Sequence, residues 1–168
     1  MIGPFDYQKN LVVGVGNADR GDDGIGLWVA ARLRERNLPG LAVRELRGDP
    51  LRLLDAWANV DQVFVVDASF SGRMPGSVQR FDVTHKSLVA GNSRFSSHGA
   101  GVGNAVELGR ALNRLPSRLV IIAIEGKDFR CGAAISPGVK KGARRAMELI
   151  LRKLTISGQE PQACMNGR

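Results

Sequence analysis

The chain has 168 residues, 43% hydrophobic and 24% charged, which fits one globular domain with a substantial core. No apolar run approaches the roughly 20 residues needed to cross a bilayer, and the segment before Leu11 lacks the basic-then-apolar design of a secretory signal, so a cytoplasmic protein is expected. A net charge of +8 invites a nucleic-acid reading, but with 5% aromatic residues and basic side chains spread over several predicted helices, an acidic protein partner is the better use of the charge.

The first predicted element is a strand in which Leu11, Val12, Val13 and Val15 suit burial on both faces of a parallel sheet. A turn with Gly14, Gly16 and Gly21 follows, and helical spacing resumes at Ile25, Trp28, Val29 and Leu33, ending near Arg36. Asp22 and Asp23 stand in or just before the first turn, where the helix dipole favours negative charge. Two glycine-loop motifs are excluded here. The dinucleotide pattern from Gly14 requires glycine where Asp19 stands, and the P-loop spacing from Gly16 to Gly21 is followed by Asp22 and Asp23 instead of Lys and Ser or Thr. Two carboxylates repel phosphate. They suit a cation or acid-base work, or simply cap a helix, and both readings stay open on this stretch alone.

Next come a strand over residues 41–46 and a turn over residues 47–50, with Asp49 as cap and Pro50 as first residue of a short helix through Leu51, Leu53, Leu54 and Trp57. Residues 62–68 form another β-branched strand ending on Asp67, where a carboxylate serves either a ligand site beyond the strand ends or a turn. A loop then leads to a strand over residues 78–83, assigned to the sheet edge. Residues 84–97 are polar and irregular. His98 closes them, next to small residues and just before a helix carrying Val102, Ala105, Val106 and Leu112, whereas His85 lies in a polar loop and reads as solvent-exposed.

The last elements are a strand over residues 119–124, a loop over residues 125–136 and a helix from Pro137. That helix sets Lys140, Lys141, Arg144, Arg145, Arg152 and Lys153 against a stripe of Val139, Ala143, Ala146, Ile150 and Leu154, a solvated face opposite a buried one. From Thr155 the tail is polar and expected to be disordered. Cys131 and Cys164 are isolated and read as ordinary thiols. Four apolar strands, read as central, and three longer helical segments predict a single three-layer α/β/α domain with a mainly parallel sheet.

Taken jointly, Gly14-Val15-Gly16-Asn17, Asp22-Asp23-Gly24, Val66-Asp67-Ala68 and Ser97-His98-Gly99 resemble the hydrogenase maturation proteases. These endopeptidases trim the C-terminus of the large-subunit precursor of nickel-iron hydrogenases. Ile124-Glu125 and Ile135-Ser136-Pro137 add weaker matches, and the resemblance spans about residues 10–154. It implies a five-stranded sheet with one antiparallel strand, and a metal site whose ligands fall on Asp23, Asp67 and His98. It further implies that the metal is nickel carried by the precursor rather than permanently bound, and that Asp23 and Asp67 serve in catalysis, with the choice between metal and carboxylate as activator of water left open. The expected protein is a monomeric, cytoplasmic peptidase with no nucleic-acid or membrane partner. Its alternative is a non-proteolytic nickel-binding accessory protein on the same scaffold. Two departures stand out: Asp23, where some relatives have glutamate, and Arg47-Gly48, where family members commonly have a more glycine-rich turn.

Overall fold

The computed structural model describes residues 8–84 and 99–157. One sheet contains β1 (Gln8–Val15), β2 (Leu41–Leu46), β3 (Val60–Ser69), β4 (Val78–Asp82) and β5 (Arg118–Glu125), in the order β2-β1-β3-β5-β4. Only β4 is antiparallel to its neighbour; the other pairs are parallel. The helices are α1 (Ile25–Arg34), entered through a 3-10 turn at Gly21–Gly24, α2 (Pro50–Ala56), α3 (Gly99–Ala111) and α4 (Pro137–Ser157). None of the described helices is long and apolar enough to cross a membrane.

The pleat sorts the apolar runs between two cores. Val12, Phe64, Val66, Val120, Ile122 and Ile124 pack against α1 and α4. Leu11, Val13, Val15, Val63, Val65 and Ile121 pack against α2 and α3, where Trp57, Leu53 and Leu54 fill the layer. Strands buried from both sides must be apolar throughout, which is why β1, β3 and β5 read as continuous β-branched runs.

The three-layer, mainly parallel architecture follows the expectation, including the antiparallel edge strand at residues 78–82. Two expectations need correction. The strand over residues 41–46 is not central: among the described residues β2 has only β1 beside it, and its Arg44 and Glu45 are exposed. The last helix also runs on to Ser157, through the start of the tail expected to be disordered.

Topology selects one place for a site. The chain leaves β1 for β2 on one side and returns past β1 to β3, so the carboxyl ends of β1 and β3 flank the point where the winding reverses. Open α/β sheets bind ligands in the crevice at such a point.

Candidate functional site

Close packing of backbone brings the first acidic loop to this crevice. A Cβ added at Gly14 would run into Gly26 O and lie 2.6 Å from Ala30 Cβ, and one at Gly26 would run into the carbonyls of Val15 and Val66. Without side chains at these two positions, α1 presses directly on the ends of β1 and β3. Gly16 adopts φ +149, and a Cβ there would collide with Asp23 O. The glycines of this turn therefore serve close approach of the loop, and no phosphate is needed to account for them.

Asp23 and Asp67 are both buried, with 1% and 0% of their surface exposed. They arrive from different elements, the 3-10 turn before α1 and the end of β3. Asp67 Oδ1 accepts a hydrogen bond from its neighbour Ala68 N–H at 2.8 Å, while Oδ2 meets no donor among the described residues. Burial pushes the Asp67 carboxyl up to about 8; the Ala68 hydrogen bond acts against this, and the charge of Asp23 adds to it. The charge of Asp23 acts on Asp67, so the two acids stand near enough to interact although they are 44 positions apart in the chain.

A buried acid beside a second acid, with one oxygen short of donors, favours whatever brings positive charge: a proton or a cation. Carboxylate oxygen suits a borderline divalent metal. No group of three potential ligands is assembled among the described residues. The third expected ligand, His98, lies outside them, as does His85. The α3 helix that follows His98 begins at Gly99, and Gly101 in its first turn approaches Gly48 so closely that a Cβ would strike Gly48 O.

Asp22, adjacent to Asp23, has a different role from the one its sequence position allows. Its carboxylate is fully buried and accepts hydrogen bonds from Lys127 N–H (2.7 Å), Asp128 N–H (2.8 Å), Ser136 N–H (2.6 Å) and Ser136 Oγ (2.9 Å). Asp22 is a clamp that binds the turn before α1 to the loop between β5 and α4. This explains the weaker Ile135-Ser136-Pro137 match, because Ser136 supplies two of those donors. Glu125 works similarly on the loop after β3. Its Oε1 accepts from the N–H groups of Ser71 (2.6 Å), Gly72 (2.9 Å) and Arg73 (3.2 Å), and its Oε2 from Ser69 Oγ (2.8 Å) and Ser71 Oγ (2.9 Å). Burial pushes Glu125 upward, but the hydrogen bonds from Ser69, Ser71 and Arg73 outweigh it and hold the carboxyl below its ordinary value.

Sequence reasoning missed both clamps. A glutamate ending an apolar strand was the only local signal for the second, and nothing local separated Asp22 from Asp23. Elsewhere, Cys131 is an exposed free thiol, as expected. On α4, Lys141, Arg144, Arg145 and Arg152 are exposed while Val139, Ala143, Ala146 and Ile150 are buried, again as expected.

Comparison with known proteins points the same way. Residues 34–153 match the family model described as hydrogenase maturation protease. Protein FrxA of Pyrococcus furiosus is 31% identical over 135 residues, spanning 78% of this chain and 94% of the relative. The Hydrogenase 2 maturation protease of Escherichia coli is 26% identical, over 91% of this chain and 94% of the relative. Among solved structures, the [NiFe] hydrogenase maturation protease HybD from Thermococcus kodakarensis superposes with a TM-score of 0.70 at 27% identity, covering 87% of this chain and 98% of the other.

Proposed function

The chain belongs to the hydrogenase maturation protease family, and from that premise we propose that it is the endopeptidase that removes the C-terminal extension of a nickel-iron hydrogenase large-subunit precursor once nickel is in place. The observation that carries the site assignment is the burial of Asp23 and Asp67 together at the reversal point of the sheet, with Asp67 raised to about 8. Such a pair is poor at remaining charged alone and well suited to meeting a cation delivered by another molecule.

In this reading nickel arrives as part of the substrate. Asp23, Asp67 and His98 would hold it, two carboxylates supplying the negative charge and an imidazole the nitrogen. Three protein ligands leave coordination positions for the precursor, so the enzyme recognises a loaded precursor rather than storing metal. Hydrolysis then needs a base on water. Asp23 and Asp67 are the candidates, and the alternative activator is the nickel held by the site, which would supply Lewis-acid polarisation of the scissile carbonyl. The protein acts in the cytoplasm as a monomer.

The test is incubation of the purified chain with nickel-loaded and nickel-free precursor, followed by intact-mass measurement. Loss of the extension from the loaded form alone is expected. Equal cleavage of both forms would defeat metal recognition, and binding with no change of mass would assign the chain to the non-proteolytic accessory role.

A further inference from the structure

The loop between β3 and β4 presents two large apolar side chains to solvent, Phe70 with 63% and Met74 with 79% of its surface exposed. The backbone beneath them is fixed. Glu125 accepts hydrogen bonds from residues on both sides of Phe70, from the hydroxyl of Ser69 and from the N–H groups of Ser71, Gly72 and Arg73. Met74 O accepts in turn from Ser77 N–H at 2.9 Å, closing the turn into β4. Phe129, in the loop between β5 and α4, meets the Phe70 ring edge-on, with centroids 5.7 Å apart and planes at 79°. Gly126 makes room for this second ring, since a Cβ there would collide with Phe129 Cζ. The aromatic pair therefore joins the two loops that Glu125 and Asp22 hold.

An apolar ring kept exposed on a fixed loop does little for the fold, because it forgoes most of the gain of burial while the loop pays the cost of order. Both effects favour a partner, which would cover the ring and find the loop already ordered. Position selects that partner. Phe70 follows Asp67 by three residues, one beyond the end of β3, so their Cα atoms lie at most about 11 Å apart. Along β3, Asp67 alternates in step with Val63 and Val65 on the α2 and α3 side, whereas Ala68 and Phe129 belong to the core under α1 and α4. The patch thus flanks the acidic site from the other face of the sheet, at the same carboxyl edge. Phe70 and Met74 together expose on the order of 300 Å², against about 800 Å² per partner in a stable interface. That is too little to hold a second copy by itself, and it suits a supplementary contact with a protein already engaged at the acidic pair.

We propose that Phe70 and Met74 form an exosite for the precursor, seating an apolar segment of that protein beside the acidic pair and outside the hydrolytic step. This rests on the proteolytic reading above. The exosite captures the precursor whether or not nickel is in place, because it stands apart from the residues proposed to meet the metal.

The experiment compares wild type with Phe70→Ser/Met74→Ser, Met74→Ser and Phe70→Leu on nickel-loaded and nickel-free large-subunit precursor. Cleavage is read by intact mass and binding by fluorescence anisotropy, with thermal unfolding as the check on folding. The double variant should raise KM about fivefold or more with kcat within about twofold, and should weaken binding of both precursor forms by the same factor. Phe70→Leu, still apolar, should stay within about twofold of wild type. Met74→Ser should raise KM about twofold, and it decides the matter if the double variant does not fold. These differences should persist at high salt, where a charged contact would fade. Unchanged KM and binding in the folded variants would overturn the exosite and leave proteolysis standing; sedimentation and phosphatidylglycerol vesicles then read whether a second copy or a membrane takes the patch. A loss confined to the nickel-loaded form, or one that vanishes at high salt, would overturn it as well. If wild type cleaves neither form, proteolysis itself fails and binding decides: fivefold weaker binding by the double variant sustains the exosite, and equal or absent binding removes it.

Discussion

Replacing Asp67 by Asn tests whether this site is built against the stability of the fold. Burial raises the Asp67 carboxyl from the ordinary 3.8 to about 8, against the lowering hydrogen bond from Ala68 and with a further rise from Asp23. An acid raised in the folded state keeps its proton over a pH range in which the unfolded chain has released it. Stability therefore falls as pH rises from 3.8 and stops falling above about 8. A displacement of this size is worth on the order of 5 kcal/mol. Asn removes the ionisation but keeps the shape: its Oδ1 can still accept from Ala68 N–H, and its Nδ2 takes the place of an oxygen that already lacks a donor. In chelator-treated protein, Asp67→Asn should unfold near the wild-type temperature at pH 4 and about 10 °C or more above it at pH 9, by calorimetry or circular dichroism. Processing of the precursor should be lost at the same time. A gain equal at both pH values, or a loss of stability at pH 9, would refute the account of Asp67 as a carboxylate held in an unfavourable place.

The clamps should behave in the opposite sense. Asp22→Asn removes a charge that four hydrogen bonds stabilise and turns a donor toward other donors, so it should cost about 3 kcal/mol in denaturant unfolding. Glu125 is held below its ordinary 4.5, so its contribution is present above that pH and lost as pH falls below it. Glu125→Gln should therefore be less stable than wild type at pH 7 and lose the difference on acidification, as followed by thermal unfolding. His98→Ala should abolish cleavage of nickel-loaded precursor with the protein still folded, whereas His85→Ala should leave the intact-mass assay unchanged.

Much of this fold is legible in the residues because burial on two faces demands uninterrupted apolar runs, and β1, β3 and β5 supply them. Strand order is less legible. Residues 41–46 begin as apolar as a central strand, and only Arg44 and Glu45 betray the edge. The partners of a buried acid are the hardest to read. Asp22 and Asp23 are chemically identical and adjacent, yet in a 3-10 turn successive side chains point roughly 120° apart, so Asp22 turns to the loop between β5 and α4 and Asp23 points elsewhere, where its charge acts on Asp67. Asp22 meets Ser136 across 114 positions of sequence, a distance over which no periodicity carries information. The family resemblance identifies Asp23 by position; the physical reason for that choice appears only when the donors around Asp22 are known.

The carboxyl edge of the sheet thus holds buried acids of two kinds. Asp22 and Glu125 are surrounded by backbone and hydroxyl donors that replace water, and each keeps a loop in place, Asp22 the one between β5 and α4 and Glu125 the one after β3. Asp67 receives one donor from the described residues and has another acid for a neighbour. Surrounding it with donors as Glu125 is surrounded would stabilise its charged form and, on the proposed reading, remove its reason to accept a cation. The backbone donors of these loops are spent on Asp22 and Glu125, and none of them reaches Asp67 Oδ2, which keeps its demand for charge. Stability at the clamps and the raised carboxyl of Asp67 are in this sense one design, and on the proposed reading loosening either clamp should weaken metal recognition even though neither clamp is among the proposed ligands.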